Sequence, residues 1–193
     1  MRSILYILVM LLGGCVFALF PAIADDDDAG KIAKEYQVKV AFLYNFVKFI
    51  EWPGDKSLAH PNATANICIM GDNPFGAALD IFKRVSTPQL TLNVKTGVSQ
   101  NDISSCHILY VSKSEEANVS SILSQASRYS VVTVSGIKGF VDAGGVIEMV
   151  KVEKSIGLFS KDKINLRINM RAAEAVNLRI DAQLLEIAAE VVK

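Results

Sequence analysis

Few side chains in this sequence are of types and spacings that do chemistry. The two histidines stand apart: His60 precedes Pro61 in a loop, and His107 follows Cys106 on an apolar strand. Neither has a His, Cys or carboxylate at the spacing of a metal-ligand set. The segment GDNPFG over residues 71–76 puts glycines at a strand-to-helix turn, where a helix N-terminus can hold an anion. It lacks the Lys-Ser/Thr of a P-loop and the glycine spacing of a dinucleotide fingerprint, and a capped helix start accounts for it. Ser135-Gly136 is not a nucleophile elbow of the G-x-S-x-G type, and the carboxylates are scattered rather than paired. Only a site assembled in space would give catalysis. The expectation is therefore a protein without catalytic residues, cofactor or metal. A small ligand, if bound, would sit in a cleft at the carboxyl ends of parallel strands, at Gly71, Asp72 and Ser112.

Cys68 and Cys106 depend on compartment for their chemistry. Arg2 supplies a positive start, Ile4 to Phe20 an apolar run, and Ala22-Ile23-Ala24 a small-x-small cleavage motif, so residues 1–24 read as a secretory signal peptide and 25–193 as one exported domain. The competing readings are a membrane anchor, which Gly13, Gly14 and Pro21 interrupt, and a lipoprotein acylated at Cys15 within Leu12-Gly13-Gly14-Cys15. Export to an oxidising compartment makes Cys68 and Cys106 disulfide candidates rather than metal ligands. The alternative is a pair of buried free thiols. Lys and Arg together number 20, as do Asp and Glu, with no basic block, which argues against a nucleic-acid partner.

The elements that must position these residues follow from periodicity. Val38, Phe42, Phe46, Phe49 and Ile50 recur at three-and-four spacing, predicting a helix over about 31–51 that ends at Pro53-Gly54; Val40, Leu43 and Val47 widen its apolar arc. Strands are predicted at 67–70, 90–94, 103–111 and 129–134, with a helix over 75–83 started by Pro74 and another running to about Ala126 from a Ser112/Glu115 capping box. Continuous apolar strands alternating with helices indicate a mainly parallel sheet covered on both sides, a three-layer α/β/α sandwich. Runs at 146–150, 156–159 and 165–170 have no helix between them and predict an antiparallel meander near the C-terminus, followed by helices at about 171–176 and 182–192.

Five stretches carry a further likeness: VKVAFLYNFVKFIEWP, ICIMGDNPFG, CHILYVSKSE, VVTVSGIKGFVDAGGVIEMV and INLRINMRAAEAVNLRIDAQLLEIA. In order and spacing this set resembles the YfiR family of exported bacterial proteins, over about Tyr36 to Ala189. The resemblance implies an α/β/α periplasmic regulator that tends to homodimerise. The family's best-known member binds the periplasmic sensor domain of a membrane-bound GGDEF diguanylate cyclase, YfiN, and holds it inactive, restraining cyclic di-GMP signalling and biofilm formation. Cys68 and Cys106 fall at the positions of one family cysteine pair, linked to envelope redox state. A second pair has no counterpart, since residues 136–161 contain no Cys. By the same resemblance, Trp52, Phe140, Arg167, Asn169, Leu178, Arg179 and Ile180 are expected to form the surface that meets a YfiN-like partner. Phe42, Phe46 and Phe49 are expected in the core. The alternative function is a periplasmic small-molecule-binding module.

Overall fold

The computed structural model describes the backbone of residues 26–156 and 159–193; residues 1–24, and with them Cys15, lie outside the described residues. The elements run α1 (Asp26–Phe49), β1 (Ile50–Glu51), β2 (Ala63–Met70), α2 (Ile81–Val85), β3 (Leu90–Val98), β4 (Ile108–Val111), α3 (Val119–Ala126), β5 (Val132–Ser135), β6 (Ile147–Ile156), β7 (Phe159–Asn169), α4 (Met170–Ala175), β8 (Arg179–Ile180), α5 (Ala182–Glu186) and β9 (Glu190–Val192). Among the described residues, no helix is long and apolar enough to cross a membrane.

Seven strands form one sheet in the order β3-β2-β4-β5-β6-β7-β9. It is parallel from β3 to β6, antiparallel between β6 and β7, and parallel again between β7 and β9. The three-layer α/β/α expectation holds. Side chains of period two divide the interior. Ile67 and Ile69 of β2 and Ile108 and Tyr110 of β4 pack with α1 and α2, whereas Cys68, Met70, Leu109 and Val111 pack with α3 on the other face.

On α1 the buried stripe is Val40, Leu43, Phe46 and Val47. Val38 is exposed and Phe42 and Phe49 only half-buried, so of the three phenylalanines expected in the core, Phe46 alone is fully enclosed. The helix stops four residues before Pro53. The Phe49 carbonyl, one of the orphans of a helix end, accepts from Asp181 N at 2.8 Å, and β1 then pairs antiparallel with β8, Ile50 opposite Ile180.

Other elements differ from the periodicity reading too: the helix expected over 75–83 is a 3₁₀ turn over Gly76–Asp80 followed by α2. Ile103 lies in a 3₁₀ turn over Gln100–Ser105, closed by a Ser99/Asp102 capping box, and the strand begins only at Ile108. Ser112 makes no side-chain cap: its hydroxyl donates to the Asp72 carbonyl, and a 3₁₀ turn over Lys113–Asn118 precedes α3. The three runs after 146 form two long strands, β6 and β7, in one hairpin. The final helix ends at Glu186, because Ala189 N donates to Leu166 O at 2.9 Å and the chain joins the open edge of β7 as β9.

Candidate functional site

Strand order reverses direction between β2 and β4: the chain leaves β2 for β3 on one side and returns to β4 on the other. Such a crevice is where α/β sheets place ligands. Gly71, Asp72 and Ser112 lie together there, and the two turns are bonded to each other. Ser112 Oγ donates to Asp72 O, and Asp72 N donates to Ser114 Oγ at 2.9 Å. Gly71 has φ +79°, and any Cβ there would run into the Ser114 hydroxyl and come within 2.8 Å of Glu115 Cγ. These contacts tie the turn after β2 to the turn after β4, with Asp72 and Ser114 at the surface.

The seven residues expected at a partner surface fall into two groups. In the first, Trp52 and Leu178 pack in the core on the α1 side of the sheet, 4% and 2% exposed. Trp52 Nε1 donates to the carbonyl of His107, just before β4, and its ring meets the imidazole edge-on at 5.6 Å. Arg179 and Ile180 sit on the adjoining β1–β8 ribbon. Ile180 is half-buried, while the Arg179 side chain is 85% exposed, 3.9 Å from Glu51.

In the second group, Phe140 is 1% exposed. The loop over 137–145 does not present it, because Phe140 O accepts from Gly145 N and any Cβ on Gly145 would collide with the Phe140 ring. Trp52, Phe140 and Leu178, expected at a partner surface, are thus corrected to buried positions, and at Phe140 the turn glycines bring the backbone onto the ring. The same loop is held by Glu148, whose side chain is 2% exposed and accepts from Gly139 N at 3.2 Å and Val141 N at 3.1 Å. Arg167 reaches Glu148 and Asp142 at 3.0 Å and Glu190 at 2.7 Å. Its hydrogen bonds hold the Asp142 and Glu190 carboxyls below the usual carboxylate range. Asn169 accepts from Ala172 N to cap α4 and donates to Val141 O at 3.3 Å. Arg167 and Asn169 are therefore occupied by this loop and by the strands around it.

The amino edge of the parallel strands carries the other polar cluster. Cys68 and Cys106 are joined by a disulfide and wholly buried. Lys56 Nζ donates to Cys106 O at 2.8 Å. His107 Nδ1 accepts from Asn66 N at 3.0 Å, which places the ring proton on Nε2. Burial, reinforced by the Lys56 charge, lowers the His107 pKa to about 4.

Sequence reasoning missed a buried network between α1 and the sheet. Lys39, 3% exposed, binds Glu35 at 2.5 Å and lies 4.8 Å from the centre of the Tyr36 ring. Tyr36 meets Phe75 edge-on at 5.3 Å, and Phe75 meets Tyr110 at 4.6 Å. Burial raises the pKa of both the Tyr36 and the Tyr110 hydroxyl. The signal was present: Lys39 between Val38 and Val40, and Glu148 between Ile147 and Met149, are lone charges in apolar runs that burial forces to find partners. Beside this network lies an apolar groove of about 870 Å³ between α1 and residues 74–85. Among the described residues, no group of three or more His, Cys, Asp or Glu is placed to hold a metal ion.

Residues 36–189 match a family model described as YfiR/HmsC-like. The fold is similar to the crystal structure of a conserved domain protein from Vibrio cholerae O1 biovar eltor, with a TM-score of 0.50 and 12% identity over 81% of this chain. The chain spans 60% of that protein's length. An ABC domain in complex with L-Trp from Streptococcus pneumonia aligns with a TM-score of 0.45 and 13% identity, over 67% of this chain and 55% of that one. No curated protein matches the chain.

Proposed function

We propose, from the premise that this chain belongs to the YfiR/HmsC-like family, that it is an exported periplasmic regulator, homodimeric and non-catalytic, which binds the periplasmic sensor domain of a membrane GGDEF diguanylate cyclase and represses it. The observation that carries this reading is the family match over residues 36–189, from within α1 to the turn before β9. The geometry is compatible with a binding role. The charged side chains of the inner clusters are spent on each other and on backbone, with Arg167 across three carboxylates and Lys39 on Glu35. Arg179, beside Glu51, is the accessible cation of the expected partner surface.

Co-purification of the protein with its candidate cyclase, together with cyclic di-GMP levels, tests the reading. Capture should occur, and Arg179→Glu should weaken capture and raise cyclic di-GMP without altering the fold. Absence of capture from membranes holding the cyclase would overturn it. Capture that persists under reductant assigns Cys68–Cys106 to the scaffold; capture lost under reductant assigns it to regulation. A second reading, a periplasmic small-molecule-binding module, is favoured by the groove along α1.

A further inference from the structure

We infer that the groove between α1 and residues 74–85 binds a single-chain anionic amphiphile, its aliphatic tail laid along α1 and its carboxylate head at Arg84. The groove follows α1 from Ile32 to Tyr44. That span is about 18 Å at the helical rise per residue, long and narrow rather than round. Its volume of about 870 Å³ lies within the range of small-molecule sites.

The walls select the ligand. Ala41 on one side and Ala78, Ile81 and Val85 on the other present carbon, and among the described residues Arg84 is the charged one lining the groove. A polar metabolite needs several converging donors and acceptors to fix its orientation. Here the polar side chains of the lining are few, Tyr36, Gln37 and Tyr44, all on α1, and the wall over residues 74–85 adds only Arg84. Small side chains at Gly76, Ala77 and Ala78 hold the trough open, and Ile32, 53% exposed at its mouth, is an apolar side chain that a tail would cover. Arg84 has no carboxylate partner among the described residues, and its guanidinium matches a carboxylate head in charge and in fork geometry. The groove lies beyond the crevice at Gly71, Asp72 and Ser112, and its occupation does not depend on the cyclase.

Calorimetric titration of the purified protein with dodecanoate, dodecylamine and dodecan-1-ol, below micelle-forming concentrations, tests this without any partner present. Dodecanoate should bind at one saturable site and dodecylamine should bind at least about tenfold more weakly, as expected for one charge-assisted contact. Arg84→Glu should weaken dodecanoate by about tenfold or more and leave dodecan-1-ol unchanged. Ala41→Trp, at an exposed helix position facing the groove, should abolish binding of all three while thermal unfolding stays as in the parent; Ala77→Trp is the second filler if it does not. No saturable dodecanoate binding, or binding that both fillers leave intact, would overturn the assignment. Equal affinity for dodecanoate and dodecylamine would overturn the role of Arg84.

Discussion

Acid should loosen this protein through His107 before it reaches the carboxylates. The imidazole is buried, its Nδ1 lone pair is used by Asn66 N, and Lys56 lies close by, so protonation would cost the Asn66 bond and bring two cations together. A folded pKa of about 4 against an unfolded value of 6.5 means that the unfolded chain binds the extra proton across that window. Stability therefore rises with pH: the contribution is complete above pH 6.5 and is lost progressively as pH falls toward 4. The full displacement is worth about 3 kcal/mol at ~1.36 kcal/mol per pH unit, and screening by the water that reaches the ring reduces it to about 2 kcal/mol between pH 7 and 4.5. With a urea dependence of about 2 kcal/mol per molar, the unfolding midpoint followed by circular dichroism should fall by about 1 M over that range. His107→Asn keeps an acceptor toward Asn66 N and removes the titration, so its midpoint should hold steady. A flat profile in the parent, or an equal slope in His107→Asn, would refute the argument.

Other substitutions follow from the same geometry. Removing the bridge with Cys68→Ala and Cys106→Ala should cost up to about 4 kcal/mol in urea unfolding, from the closure entropy of a loop spanning 38 residues of sequence separation, less any native strain. Trp52→Asp and Phe140→Asp should each collapse the cooperative unfolding transition, since both put a charge where almost no water reaches; a folded Phe140→Asp protein would contradict the packing described for the 137–145 loop. Arg167→Met should destabilise by about 3 kcal/mol because it leaves Glu148 buried without its cation, and pairing it with Glu148→Gln should recover part of that loss in a double-mutant cycle.

The parallel half of the fold was legible because burial imposes a simple code on it. The alternation of Ile67 and Ile69 against Cys68 and Met70 places each set on its own face, and the apolar run at 108–111 is a central strand enclosed on both. What escaped the code depends on distant partners. Leu184, Leu185, Ile187, Ala188 and Val191 have helical spacing, yet β7 offers an unpaired edge, and Glu190–Val192 take it as a strand. The groove was invisible because it arises from the relative placement of α1 and residues 74–85, each of which reads as an ordinary buried segment. Among the expected site residues, Gly71, Asp72 and Ser112 lie near one another at the carboxyl ends of β2 and β4. The bond from Asp72 N to Ser114, two residues beyond Ser112, depends on a distant partner and was not legible.

The pairing of Ile50 with Ile180 ties together positions about 130 residues apart and supplies the hydrogen bond that ends α1. Closure over that distance waits until nearly the whole chain is available, which puts assembly among slow, non-local folders. Until residues 178–181 arrive, the carbonyl of Phe49 and the ribbon edge beside it remain open to solvent. A polypeptide emerging N-terminus first would spend most of its passage with its first helix unfinished, in a form that a holding chaperone can recognise and a protease can cut.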